Sequence, residues 1–165
     1  MITSHAIVSF TGHRTYDHSC DKELRDIIHK LYTDGARTFR IGMAEGFDLT
    51  AGNILLELID QHDDIILEAH IPWPQFASRL NDEDRNIYNL ILAKAKVIRY
   101  AGYSFQPDIF HRRNDMLTDN ATHLIAWWNG SKSGTGYTVK RAQKLGCTVI
   151  NLHYSAQREI PGLEP

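Results

Sequence analysis

The chain has little cysteine: Cys20 and Cys147 stand far apart and form no C-x-x-C pair. That scarcity excludes a disulfide framework and a thiolate zinc site, and it reads as two free thiols in a reducing compartment. Long hydrophobic runs are also missing, and no segment approaches the length that spans a bilayer. The N-terminal "MITSHAIVSF" has neither a basic start nor an extended apolar stretch, so no secretory signal is expected and the expected location is the cytoplasm. Charge of one sign is missing too, with a formal net charge of −2. A dedicated nucleic-acid surface carries a basic balance, so nucleic acid is not an expected partner on this count. The nine histidines show no H-E-x-x-H spacing, and there is no G-x-S-x-G nucleophile elbow. No metal is expected and no catalytic residue is assigned. Internal repeats, low-complexity tracts and linkers are absent as well, which leaves a single domain over residues 1–165 with a loosely held tail from about 154.

What is present is a regular alternation of short apolar runs and amphipathic stretches. Residues 6–10, 38–42, 64–71, 96–101, 123–129 and 148–153 read as strands. Between them, residues 21–35, 47–61, 82–95, 108–121 and 135–146 read as helices. Leu24, Ile27, Ile28, Leu31 and Tyr32 form a 3,4-spaced stripe on the first, and Gly35 is its stop. Strict β–α alternation implies an α/β, Rossmann-like three-layer fold, a mostly parallel sheet flanked by helices. Such sheets bind ligands beyond the C-terminal ends of their strands, where strand order reverses. Function should therefore sit in the loops that leave strands.

Three of these loops carry suitable chemistry. "TGHR" follows the first strand; Gly12 permits close backbone approach, Thr11 supplies a hydroxyl, and Arg14 offers a forked donor for phosphate or carboxylate. "GMAEGFD" follows the second, with Gly42 and Gly46 flanking Glu45 and with Asp48 at the next helix start. Asp48 there either caps the helix or bonds a ribose hydroxyl. A standard dinucleotide site places its glycines after the first strand, so this arrangement argues against NAD. "GSKSGTGYT" follows the fifth strand, and its glycines and hydroxyls can present several donors to phosphate oxygens, Ser133, Gly134 and Thr135 foremost. It is not a P-loop, because Lys132 precedes the turn, and Val139 stands where a dinucleotide fingerprint needs its last glycine. Lys132, Lys140 and Arg141 surround this loop. Trp127 and Trp128, adjacent on a strand, face opposite sides, one of them core.

Together "TGHR", "GMAEGFD", "HIPWPQF", "RRNDMLTDNATHLIAWWNG" and "SGTGYTVKRAQKLG" resemble the YpsA family of the SLOG superfamily, in order and to about His153. The resemblance implies a pocket for a nucleotide or nucleotide derivative, and many members are regarded as sensors or ligand-binding domains. Among relatives, LOG proteins cleave the base from a nucleotide monophosphate and DprA proteins bind single-stranded DNA. Gly134 and Thr135 match the pair that holds phosphate in LOG-type relatives. Arg113 matches the arginine of their arginine–lysine helix, with Asn114 in the lysine's place. "GMAEGFD" resembles the corresponding DprA stretch. LOG enzymes carry a catalytic glutamate three residues beyond the threonine; this chain has Thr138 there.

The expectation is thus a nucleotide-binding domain, more a sensor than an enzyme, and homo-oligomeric. Its small-molecule partner is a nucleotide or a derivative of one, and no other cofactor is assigned. The rival readings are a LOG-type N-glycoside hydrolase or transferase, with Glu45 or Asp48 assisting departure of the base, and DprA-like binding of single-stranded DNA.

Overall fold

The computed structural model describes residues 2–157. Six strands, β1 (Ile7–Gly12), β2 (Thr38–Ile41), β3 (Ile66–Ile71), β4 (Val97–Tyr100), β5 (His123–Trp127) and β6 (Thr148–Asn151), form one parallel sheet in the order β4-β3-β2-β1-β5-β6. The helices are α1 (Asp21–Thr33), α2 (Phe47–Gln61), α3 (Asp82–Lys94), α4 (Ile109–Thr118), α5 (Gly134–Lys144) and α6 (Tyr154–Gln157). This is the α/β Rossmann-like arrangement that the alternation implies. Strand order reverses between β1 and β5, the neighbours at the centre of the sheet.

The two sheet faces follow from strand alternation. Val8, Phe10, Phe39, Ile41, Leu67, Ala69 and Ile71 point to one side and pack with α1 and α2 residues such as Leu24, Ile28 and Leu55. Leu124 and Ala126 point to the other and pack with Val139 and Ala142 of α5. Helix ends form where the local chemistry allows. The Asn81 side chain accepts from Asp84 N at 2.8 Å, and Asp82, Glu83 and Asp84 in the first turn complement the α3 dipole. Ser133 caps α5, its Oγ accepting from Gly136 N at 3.1 Å.

Helix α4 is held from beneath by polar groups on an otherwise apolar sheet. Ser9 Oγ donates to the Leu117 carbonyl at 2.5 Å. Arg40 Nη1 donates to the carbonyls of Met116 and Asp119, at 3.2 and 2.5 Å. Arg40 is itself paired with Glu68 at 3.2 Å. These bonds satisfy the carbonyls that a helix C-terminus leaves open and fix the helix that carries Arg113.

Most element ends lie one to three residues from the sequence reading, and β5 stops at Trp127, so Trp128 falls just beyond the strand. Strand β1 runs on to Gly12, because it is central and its ladder with β5 continues to the Gly12–Trp127 pair. Residues 154–157, placed in the loose tail, form the short helix α6; the rest of that tail lies outside the described residues. No described helix is long and apolar enough to cross a membrane.

Candidate functional site

The loops leaving β1, β2 and β5 meet around one cavity of about 430 Å³ at the strand-order reversal. Thr11, Gly12, Arg14, Asp48, Arg113, Asn114, Ser133, Gly134 and Thr135 all line it. Gly42, Glu45 and Gly46 do not. Gly42 stands behind the wall, its carbonyl accepting from Arg113 Nη1. Glu45 and Gly46 line a neighbouring cavity that shares only Arg14 with the first.

The β1 exit is built around Gly12. A Cβ there would lie 2.4 Å from the Phe47 side chain, so the absence of a side chain lets the start of α2 seat directly against the strand end. His13, to which the sequence assigned no role, fastens this exit to the β5 exit. Its Nε2 accepts from Asn129 N at 3.1 Å, and burial lowers its pKa, both favouring the neutral ring. Arg14 reaches out over the Phe110 ring, 4.9 Å from its centroid, with Glu45 3.7 Å away. His13, Thr15, Ala44 and Phe110 complete the lining. The signal for His13 was its place inside "TGHR"; the signal for Phe110 was its helical spacing from Asn114, four residues on.

Asp48 does not cap the helix. Its Oδ2 accepts from Ala44 N at 3.3 Å, outside α2, and so pins the turn that leaves β2 rather than capping the helix. The residue is only 5% exposed. Burial pushes its carboxyl up to about 6; the Arg113 charge and the Ala44 bond oppose that shift.

Arg113 is equally buried, and burial lowers its pKa while Asp48 works to raise it. Nε donates to Asn114 Oδ1 at 3.0 Å and Nη1 to Gly42. Nη2 has no acceptor among the described residues. The arginine is thus oriented on two sides, in a cavity wall, with donor capacity to spare. Arg112 faces elsewhere: it donates to the Ala101 carbonyl and to Gln106 Oε1, and pairs with Asp108 at 3.3 Å.

The β5 exit contributes the start of α5. The Ser133 hydroxyl is committed to the cap, but the amides of Gly134 and Thr135 have no acceptor among the described residues. Open amides at a helix N-terminus, with the helix dipole behind them, are an anion site in waiting. Thr138 is fully buried, and its hydroxyl donates to the Gly134 carbonyl at 2.9 Å. It braces the turn and brings no acid to the cavity. Trp127 is the core tryptophan, whereas Trp128 is half-buried and donates from Nε1 to the Ser131 carbonyl.

Two flanking features set the electrostatics. The cavity shared by Arg14 and Glu45 also gathers Asp21, Glu83 and Asp84, with Arg25 and His18 beside them. On the far side of the α5 loop, His111, Lys132, Tyr137 and Lys140 surround a basic hollow of about 390 Å³. The first cavity, with Arg14, Arg113 and the open amides, lies between them. No group of three or more potential metal ligands occurs among the described residues.

A family model described as the YspA SLOG family, YpsA, matches residues 5–151. The chain belongs to this family. Two curated UPF0398 proteins of Bacillus cereus, from strains B4264 and ATCC 14579, are each 24% identical over 162 residues, covering 89% of this chain and 87% of theirs. Among solved structures, DNA processing protein A (DprA) from Streptococcus pneumoniae is similar with a TM-score of 0.68 at 18% identity, and DprA from Helicobacter pylori with 0.65 at 20%. Each likeness covers 87% of this chain but only 49% and 63% of those proteins, so this YpsA-family chain spans about half to under two thirds of their length.

The H. pylori structure concerns that protein's unique mode of binding single-stranded DNA. These likenesses overturn the expectation that nucleic acid is not a partner. The −2 sums the whole surface and does not describe its parts: Arg14 and Arg113 line the first cavity, and Lys132 and Lys140 the hollow beside it. At family and fold level, the protein is a Rossmann-like domain of the SLOG family, which is consistent with association with nucleotides or nucleic acid.

Proposed function

We propose that the cavity at the β1–β5 reversal binds the phosphate of a nucleotide unit, and that the domain holds this unit without transforming it. The observation that carries the reading is Arg113: a buried, doubly oriented guanidinium with a spare donor, sharing its cavity with the open amides of Gly134 and Thr135. A forked guanidinium and a helix N-terminus both suit phosphate oxygens. The cavity volume is in the range of small-ligand sites. The fold likeness to two DNA processing proteins supports a strand, as well as a free nucleotide, as the source of the unit.

The test is thermal denaturation of ligand-free protein across a panel of nucleotides and short oligonucleotides. A ligand that prefers the folded state raises the melting temperature by mass action. Gly134→Phe is the matched variant. A Cβ at Gly134 meets only Asn114 Nδ2, at 3.7 Å, so the fold accommodates a side chain in this wall of the cavity, where it is expected to obstruct the ligand. The expected result is a shift with wild type and none with Gly134→Phe, at an unchanged melting temperature without ligand. No shift with any of the panel counts against the phosphate site.

One observation favours a second reading. Asp48 is a cavity-lining carboxyl whose pKa stands near 6, a suitable value for a proton donor to a departing base. Against it, Thr138 occupies the position of the LOG glutamate and is hydrogen-bonded to the backbone. Incubation with nucleotide monophosphates is expected to release no free base on chromatography. Release that disappears in Asp48→Asn would make the domain an N-glycosidase.

A further inference from the structure

Beside the cavity, the loop from 101 to 108 between β4 and α4 exposes aromatic rings of a kind that folding normally hides. Tyr103 is 93% exposed and Phe105 55%. The loop is nonetheless held in place: Arg112 donates to the Ala101 carbonyl and to Gln106 Oε1 and pairs with Asp108. Phe105 meets Trp73 edge-on, with centroids 5.6 Å apart, which fixes the ring without covering it. The exposed Arg79 guanidinium lies over three rings at once, 5.3 Å from Trp73, 5.4 Å from Phe105 and 5.9 Å from Phe110. It has no carboxylate or carbonyl partner among the described residues, so its charge is uncompensated.

The patch is continuous with the phosphate cavity. Phe110 lines the cavity beneath Arg14 and also meets Trp73, with centroids 5.9 Å apart, and the Arg79 guanidinium. From the cavity outward the order is therefore guanidinium, ring, guanidinium, ring. Cations interleaved with exposed aromatic faces form a surface for single-stranded nucleic acid, where the rings stack bases and the arginines meet the backbone. A second protein copy would be met by an apolar patch with matching carboxylates. Here the free charge is positive and leads to an anion site.

We infer that the 101–108 loop is a base-stacking platform for a single strand, on which Phe105 and Tyr103 take the bases next to the nucleotide unit held in the cavity. This rests on the phosphate reading above and extends it from one unit to a strand. It makes the loop a separate determinant of affinity, specific to ligands longer than one nucleotide.

The test compares two probes on the same protein by fluorescence anisotropy and competition: thymidine monophosphate, and a labelled oligothymidylate of about ten residues, within the span one such site covers. The expected result is that the strand binds at least about tenfold tighter than the monophosphate. Phe105→Ala should weaken the strand about tenfold and leave the monophosphate unchanged, since loss of one stacked base has an effect of that order. Phe105→Trp should restore strand binding. Because Phe105 is more than half exposed, the variant is expected to fold, and unchanged monophosphate binding verifies that it has. A strand that binds no tighter than the monophosphate overturns the platform while the phosphate site stands, as does a Phe105→Ala variant that leaves strand binding intact. Binding of neither probe fails at the cavity and removes both readings. A concentration-dependent dimer in analytical ultracentrifugation that Phe105→Ala dissociates would assign the patch to a second copy and overturn the proposal.

Discussion

Arg113→Ala is expected to weaken nucleotide binding by about tenfold to a hundredfold, the loss that follows from removing a charge-assisted pair of ~1.5–3 kcal/mol. The arginine is held in advance of any ligand. Two of its nitrogens are committed to the protein, Nε to Asn114 and Nη1 to the Gly42 carbonyl, so the guanidinium plane is set before ligand arrives. A preset fork loses little freedom on binding. Arg113→Lys keeps the charge but reproduces neither bond, and should recover only part of the affinity. The substitution also leaves the Asp48 carboxyl buried without its counter-charge, so stability falls as well, and affinity must be measured on protein shown to be folded. Arg112 is the comparison, one residue away but turned to the 101–108 loop. Calorimetry of mononucleotide binding should find Arg112→Ala close to wild type. If both alanine variants bind as well as wild type, Arg113 does not touch the ligand.

Why Arg113 rather than Arg112 faces the cavity was not legible from helical spacing alone. Both flank apolar positions, and a surface arginine laying its stem over the core fits the sequence equally well. The family resemblance favoured Arg113, but its burial depends on the Ser9 and Arg40 bonds that set the height of α4 over the sheet. The sheet itself was readable because each strand is a short apolar run and each helix a 3,4-spaced stripe; α2 spans the same residues in both descriptions. The convergence of the β1 and β5 exits follows from parallel order. Loops that owe their shape to distant partners were less readable. Asp48 looked like a cap and is a pin for Ala44, and Glu45 looked like part of the ligand pocket and lies in the neighbouring cavity. Nothing in the spacing of Phe105 and Tyr103 marked them as exposed, because aromatic residues before a helix usually enter a core.

The second large effect belongs to Asp48 and is a dependence on pH. Burial lifts its carboxyl from an ordinary 3.8 to about 6, against the pull of Arg113 and Arg14 and with a small push from Glu45. Between those values the folded protein holds a proton that the unfolded chain has released. The contribution to stability is therefore complete below about pH 4 and is lost as pH rises through 6, a total of about 3 kcal/mol. Asp48→Asn keeps the shape and cannot titrate. Urea unfolding at a series of pH values should show the variant's stability, relative to wild type, rising by about that amount from pH 4 to 7. Ligand binding should follow the same group. A phosphate placed beside Asp48 disfavours its ionised form, so wild-type affinity is expected to fall as pH rises from about 5 to 7. The ligand for this measurement is a dinucleoside phosphodiester, whose charge stays constant across the range. Asp48→Asn should flatten the profile. Parallel profiles for the two proteins would mean that the phosphate and Asp48 do not share the cavity, whatever else binds there.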